Sequence, residues 1–354
     1  MKRILMVTFS RHASFQDGVF SMYHQLKDRY DVWTMTRKND DYPAPHEEHN
    51  YFVSAPENPG LSKETFNIEE WHRMMKIVRK IHPDIIYIES FHVWNYPIMF
   101  YCKHNNVTLA CSLNDVIIHQ GDSHVAIKKM FNYSQVVLAD RVVMRSKNGL
   151  ENAQKVYPKY KTKMYRTDLW YTFPKYCPPK GNTILFFGRM NRYKGIDNLY
   201  ELIKRTPELN YVVAGKADDS DTETINKIAE LSNVKLENRV IPYNDMHEYF
   251  YSARCIVLPY KSATQSGVIL DSAKHSRPAV AFNVGALGEQ IIDEKTGLLA
   301  EPENIEQLVD RVKQIVAMPN TEYEKMCREA YEYGIQNYSA KGQEKNFLTS
   351  IGAN

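Results

Sequence analysis

Short apolar runs alternating with longer helical patterns constrain this chain more than any other feature. "ILMVTF" is followed by "GVFSMYHQLKDRY" and then "DVWTMT"; "WHRMMKIVRKIHP" is followed by "DIIYIES", "PIMFYCKHNN" and "VTLACSL". Runs of this length without polar alternation suit strands buried on both faces, and helices between them suit parallel crossovers. The pattern breaks at residues 165–182, "YRTDLWYTFPKYCPPKGN", which are rich in proline and aromatic residues and have no period. A linker is expected there. A second series then begins with "TILFFGR" and continues through "LNYVVAG", "RCIVLPY" and "PAVAF". The expected fold is α/β, with two Rossmann-like domains. Residues 1–170 would form the first, 171–335 the second, and a helix at 336–354 would return to the first.

A length of 354 residues accommodates two such cores. The 45 Lys and Arg against 42 Asp and Glu leave a charge of +3, too balanced for a nucleic-acid binder, which concentrates basic surface. Cys102, Cys111, Cys177, Cys255 and Cys327 are scattered and odd in number, so neither a disulfide framework nor a zinc site is expected. The start, "MKRILMVTF", reads as a first buried strand rather than a secretory segment. No run reaches the roughly 18 apolar residues of a membrane span. A cytoplasmic protein is expected, with any membrane association peripheral.

Ligands of open parallel sheets bind beyond the carboxyl ends of the strands. After "TILFF" stand Gly188, Arg189 and, five residues on, Lys194. Two cations at one strand end can clamp a diphosphate; a solvated basic turn is the plainer alternative. "TQSGV", from Thr264 and Gln265 through Ser266, Gly267 and Val268, opens a helix with free backbone N–H groups, a phosphate site on physical grounds, or else an ordinary cap. Asp271, one turn on, would present a carboxylate to ribose hydroxyls or remain a surface acid. Gly215 and Lys216 end "VVAGK", and Val240 and Ile241 lie in "RVIPY". In the first half, "SLNDVIIHQGD" puts Asn114, Asp115 and His119 after a strand, "ESFHVW" carries His92, and "FSRHASFQDGVF" carries Arg11, His12, Asp17 and Gly18. "ADDSDTE", with Asp218, Asp219 and Asp221, is acidic, but no metal site is expected of it.

These residues resemble the retaining nucleotide-sugar glycosyltransferases of the GT-B fold, specifically glycosyltransferase family four. The resemblance rests on "GRMNRYKGIDNL", "VVAG", "RVIPYNDMHEYFYSARCIVLPY", "TQSGVILDSAKHSRPAVAFNVGALGEQI" and "KTGLLAEPEN". It implies two domains facing each other across a cleft. The first would bind the acceptor at Asp17, Gly18, His92 and Asp115; the second would bind a UDP- or GDP-sugar at Gly188, Gly215, Lys216, Val240, Ile241 and 264–268. Arg189 and Lys194 then occupy the diphosphate clamp. Asp271 stands where the second glutamate of the E-x7-E motif holds ribose, and "NVGALGEQI" and "KTGLL" would pack behind the nucleotide, with Glu289 at the edge. Two departures stand out. The first glutamate of that motif falls near Ala263, where Thr264 or Gln265 substitutes. The family's histidine in the first domain aligns with Asn114, leaving His119 as the nearest imidazole.

The expected activity is a hexosyltransferase reaction with retention, without metal or resident cofactor, in bacterial cell-surface polysaccharide or glycoconjugate synthesis. An epimerase of the same fold and a silent nucleotide-sugar-binding subunit are the alternatives. A dehydrogenase is disfavoured, since no G-x-G-x-x-G follows the first strand. Lys155, Lys159, Lys161, Lys163 and Arg166 interleave with Tyr157, Tyr160 and Tyr165, a pattern that suits either an anionic membrane surface beside a lipid-linked acceptor or a solvated basic face.

Overall fold

The structure, a computed structural model, describes residues 2–39, 42, 47–114, 116, 125–178 and 180–354. His119 and Asp115 lie outside them. The chain divides into two compact units, one of residues 2–116, 125–172 and 338–354, the other of residues 173–337.

The first unit is a parallel sheet of β1 Arg3–Thr8, β2 Asp31–Arg37, β3 Asn50–Val53, β4 Ile85–Ile88, β5 Thr108–Leu113, β6 Arg141–Met144 and β7 Met164–Arg166, in the order β3-β2-β1-β4-β5-β6-β7. Side chains of successive residues point to opposite faces, and here both faces are apolar. Leu5, Val7, Ile86, Ile88, Leu109 and Cys111 pack against helices on one face. The helices there are α2 Ile68–Ile81, α3 Asn95–Asn105, α4 Val125–Leu138 and α5 Lys147–Val156. Ile4, Met6, Tyr87, Ala110 and Val143 pack on the other against α1 Ala13–Leu26 and the terminal helix.

Local chemistry sets the helix ends. Asn67 accepts from the Glu70 N–H at the start of α2, Ser146 from the Gly149 N–H at the start of α5, each filling a donor that the first turn leaves open. The segment read as an aperiodic linker begins inside the sheet: Tyr165 and Arg166 pair with Val143 and Met144. Leu169, Trp170 and Tyr171 are buried, and Trp170 Nε1 donates to the Gly18 carbonyl at 2.7 Å. A strand of three residues is too short to show a period, so the aromatic content registered and the strand did not.

The second unit is a parallel sheet of β8 Thr183–Phe187, β9 Tyr211–Gly215, β10 Val234–Asn238, β11 Ala253–Leu258, β12 Ala279–Phe282 and β13 Gly297–Ala300, in the order β10-β9-β8-β11-β12-β13. Its helices are α6 Ile196–Lys204, α7 Thr222–Ala229, α8 Met246–Ser252, α9 Gly267–Lys274, α10 Leu287–Gln290, α11 Ile305–Ala317 and α12 Asn320–Tyr338. Beyond Ser339, whose side chain accepts from the Gly342 N–H, α13 Ala340–Ile351 returns to the first unit. Its Phe347 meets the rings of Tyr87 and Trp170 edge-on at 5.0 and 5.2 Å.

Past the ends of β4 and β6, a buried ion pair closes the first unit's core. Arg145 Nη2 lies 3.2 Å from Glu89 Oε1, and both side chains are almost fully enclosed. Tyr87 donates its hydroxyl to Glu89, Arg145 Nη1 donates to that hydroxyl at 3.3 Å, and the guanidinium lies 4.1 Å from the Trp170 ring centroid. Burial pushes the Glu89 carboxyl above its ordinary range, against the pull of Arg145. Arg145→Met is expected to cost about 3–5 kcal/mol by urea unfolding, because an uncompensated carboxylate stays buried. The loss should be smaller at pH 5 than at pH 8, where Glu89 must ionise alone, and smaller again in Glu89→Gln/Arg145→Met.

Candidate functional site

Each sheet has one place where the chain reverses its direction of strand addition. In the second unit, β9 and β10 lie to one side of β8, and β11, β12 and β13 to the other. The loops leaving β8 and β11 therefore diverge, and a crevice is expected between them. The residues at those two strand ends are the ones the sequence singles out.

After β8 the chain turns at Gly188, whose φ of +110° suits glycine, and a methyl there would sit 3.3 Å from Lys194 Nζ and 3.7 Å from a Val268 methyl. Gly188, Lys194 and the second residue of α9 thus share one small volume. Lys194 is brought back by a short 3-10 turn, Arg192–Lys194, capped by the Asn191 side chain. Gly195 follows at φ +69°, so close to the end of β11 that a Cβ would overlap the Pro259 carbonyl oxygen at 1.8 Å. This approach holds the loops after β8 and β11 together. Lys194 Nζ donates to the Tyr260 hydroxyl at 3.1 Å and lies 4.9 Å from that ring's centroid. No carboxylate pairs with it among the described residues. Burial holds it below the ordinary lysine range, the charge of Arg189 acts in the same direction, and Tyr193 opposes both. A cation in that condition gains from an anionic ligand, which would restore what desolvation removed.

Arg189 is half exposed, with Nε 3.9 Å from Asp218 Oδ1. Asp218 belongs to the acidic segment "ADDSDTE", and the loops after β8 and β9 run together. The Met190 N–H donates to Lys216 O, the Asp218 N–H donates to Met190 O, and Asn191 Nδ2 reaches Asp218 Oδ2 at 3.1 Å. Gly215 crosses close to the Gly188 carbonyl, and Lys216 is exposed. Among the described residues no three His, Cys, Asp or Glu side chains converge as a metal site would require.

The helix start at α9 is built from behind. Gln290 Oε1 accepts from the Ser266 N–H at 3.0 Å, and Gln290 Nε2 donates to Ser266 O at 3.2 Å. Ser266 is the N-cap but makes no side-chain cap, so the first turn of α9 keeps backbone donors at its positive end. Gln265 Oε1 beside it is buried without a partner among the described residues. Thr264 is buried as well. The glycine-bearing turn after β12 backs this loop: the Ala286 N–H donates to Ala263 O at 2.9 Å, and Gly285 leaves no room there for a Cβ. Glu289 is half-buried in α10, its carbonyl accepting from the Tyr333 hydroxyl at 3.3 Å.

Asp271 is buried, with Oδ1 3.0 Å from Lys274 Nζ, and both side chains are 9% exposed. Burial raises its pKa, while Lys274 favours the carboxylate. Lys274 in turn lies 5.1 Å from the Tyr243 ring centroid. Sequence reasoning missed Lys274, although its spacing of three residues on a helix was the available signal. Val240 is exposed and Ile241 half-buried, packed against the core of the unit.

In the first unit the reversal falls between β1 and β4, and "FSRHASFQDGVF" and "ESFHVW" meet there. Thr8 and Ser90 join the two strand ends by a hydroxyl contact of 2.9 Å. Arg11 and His12 are exposed. His92 is taken into the core: Nδ1 accepts from the Trp94 N–H at 3.0 Å, Nε2 faces the Pro56 carbonyl at 3.2 Å, and burial lowers its pKa to about 4. Asp17 is buried, accepting from the Thr172 N–H at 3.0 Å and the Tyr42 hydroxyl at 3.4 Å. Gly18 gives its carbonyl to Trp170. Asn114 accepts from the Ser112 hydroxyl at 3.3 Å. Glu89, Arg145 and Tyr87, unremarked in the sequence, form a buried ion pair with its hydrogen-bonded tyrosine.

Residues 181–318 match the family model described as "Glycosyl transferases group 1". An uncharacterized glycosyltransferase of Haemophilus influenzae is 27% identical over 146 residues, 40% of this chain and 41% of that protein. A D-inositol 3-phosphate glycosyltransferase of an Arthrobacter species is 27% identical over 147 residues, 39% of this chain and 35% of that protein. The chain thus spans about two-fifths of the length of these relatives. Among solved structures, a sucrose-phosphate synthase of Thermosynechococcus elongatus superposes with a TM-score of 0.74 at 15% identity, covering 100% of both chains. HepE of Anabaena, solved with UDP and glucose, does so with a TM-score of 0.73 at 13% identity, also covering 100% of both. Both Rossmann-like units share their fold with these proteins. The second unit, which holds Gly188, Lys194 and the start of α9, carries a glycosyl transferases group 1 domain.

Proposed function

We propose that this protein transfers a hexose from a nucleoside diphosphate sugar, such as a UDP- or GDP-sugar, to a hydroxyl of a glycan or lipid-linked glycan, with retention at the anomeric carbon. One observation carries the reading: Lys194, desolvated and without a carboxylate partner among the described residues, stands with Gly188 against the first turn of α9 at the reversal point of a sheet within the matched residues. A cation and a helix N-terminus converging there suit a diphosphate.

Charge accumulates on the diphosphate as the bond to the anomeric carbon breaks. Lys194 and Arg189 stabilise it from one side, and the backbone donors of Gly267 and Val268 from the other, already oriented before the reaction begins. With two cations in that role, a metal is not required. Asp271 accepts hydrogen bonds from the ribose, and Lys274 favours its carboxylate form against the effect of burial. Gln265, whose Oε1 has no partner among the described residues, replaces the missing glutamate as a contact to the donor sugar. In front-face displacement the departing phosphate takes the acceptor proton. Acceptor recognition is assigned to the first unit. The setting is bacterial cell-surface polysaccharide or glycoconjugate synthesis.

Nucleotide release from a panel of UDP- and GDP-sugars, measured with and without glycan acceptors, tests the reading. Release that requires acceptor supports transfer, conversion of the donor alone indicates an epimerase, and binding without turnover indicates a silent subunit. NMR of the product's anomeric proton reports retention.

Arg189→Ala and Lys194→Ala are each expected to lower kcat about 100-fold or more while thermal unfolding stays near that of the parent. Activity should persist in EDTA. Wild-type turnover in both variants would refute the clamp.

Asp271→Asn should weaken donor binding in calorimetry by roughly 1–3 kcal/mol and leave acceptor affinity unchanged. Lys274→Met should move the pH dependence of donor binding upward. Without the ammonium, Asp271 ionises only at higher pH, and only the carboxylate form accepts from both hydroxyls.

A further inference from the structure

One face of the first unit combines exposed apolar side chains with an excess of cations. On α4, Ile127, Met130, Tyr133 and Val137 are 49, 59, 52 and 41% exposed and recur at helical spacing along one side. Phe100 on α3 and Val156 on α5 are exposed as well, at 52 and 47%. These helices belong together: Tyr96 on α3 contacts Ser134 and the Phe131 ring of α4. Tyr133 meets the rings of Tyr157 and Tyr160 at 6.3 and 6.5 Å.

The tyrosine contacts bring the segment after α5 beside α4. Residues 125–166 hold ten lysines and arginines and only two acids. Not all of these cations face outward. Lys163 donates to the Ala139 carbonyl at 2.6 Å and to the Val137 carbonyl, tying down the end of α4, and Arg166 pairs with Asp168 at 2.7 Å. Arg145 is buried with Glu89. Lys128 and Lys129 on α4, and Lys155, Lys159 and Lys161 beyond it, are exposed. Of the two acids, Asp140 pairs with Lys103 at 2.7 Å. Apolar side chains standing out of a surface that is otherwise positive do not suit a second copy of the same face, which would oppose like charges. They suit an anionic lipid bilayer, whose headgroups meet the lysines while the apolar stripe enters the acyl boundary. No described helix is long and apolar enough to cross a membrane.

We infer that the face formed by α3, α4, α5 and residues 155–161 docks the protein on an anionic bilayer, with Ile127 and Met130 inserted and Lys155, Lys159 and Lys161 on the headgroups. The inference gives the proposed transfer reaction a location and rests on that reading only for the lipid-linked acceptor it brings within reach.

Co-sedimentation of the full chain with phosphatidylcholine vesicles, with and without phosphatidylglycerol, decides it. Binding is expected on the anionic vesicles alone and should fade as sodium chloride rises from about 0.05 to 0.5 M. Lys155→Gln/Lys159→Gln/Lys161→Gln should weaken it by roughly fivefold for each lysine removed. Ile127→Ser/Met130→Ser should weaken it at every salt concentration. Both variants should keep the parent's circular dichroism and its transfer to a soluble acceptor. Absence of binding to either vesicle, equal binding to both, or anionic binding that neither variant weakens would overturn the inference. So would a concentration-dependent dimer abolished by Ile127→Ser/Met130→Ser, which would give the face to a second copy. Failure of sugar transfer with vesicle binding intact would count against the proposed function alone.

Discussion

Everything here depends on parallel sheets that are covered on both faces. A strand such as β4, with Ile85, Ile86, Tyr87 and Ile88 all buried, has no side left for charge. Its backbone polar groups are satisfied by neighbouring strands. Side chains that must meet a ligand are therefore pushed past the strand ends. Where strand order reverses, the two departing loops separate and leave space between them. In the second unit that reversal, between β8 and β11, gathers Gly188, Lys194 and the start of α9 from sequence positions as far apart as 188 and 268.

The two units hold opposite electrostatics past their strand ends. In the first unit the strand ends of β4 and β6 carry Glu89 and Arg145, which neutralise each other in the core and are walled in by Trp170 and Phe347. That arrangement is closed and serves packing. In the second unit Lys194 is desolvated with a tyrosine hydroxyl for company and, among the described residues, no acid, and α9 presents uncapped donors beside a Gln265 oxygen that has no partner among them. Uncompensated positive potential of this kind costs folding energy until an anion arrives. Such a cost is characteristic of binding sites.

Glycine explains why these loops can come so near one another. At Gly195 the obstacle to any side chain is the Pro259 carbonyl, a backbone atom that cannot rotate away. The approach brings the turn after β8 against the end of β11 and places Lys194 over Tyr260. The run "NVGALGEQI" serves the same end from behind, with Gly285 and Ala286 against Ala263 and Gln290 holding both backbone groups of Ser266.

By itself the sequence determined the two series of buried strands and crossover helices, because burial on both faces requires unbroken apolar runs. It also marked Gly188, Arg189, Lys194 and "TQSGV", because sharp turns and helix starts demand particular residue types. The short strand at 164–166 escaped it, since three residues carry no period. Only the tertiary structure decided which polar groups are available. His92, prominent in the sequence, has both ring nitrogens engaged in the core, and Lys163 and Arg166 of the basic segment are taken up by internal partners. Asp218 came to Arg189, and Lys274 to Asp271. The apolar stripe of α4 could be read as core from its spacing alone. Periodicity says which residues share a face, and only packing says whether anything covers it.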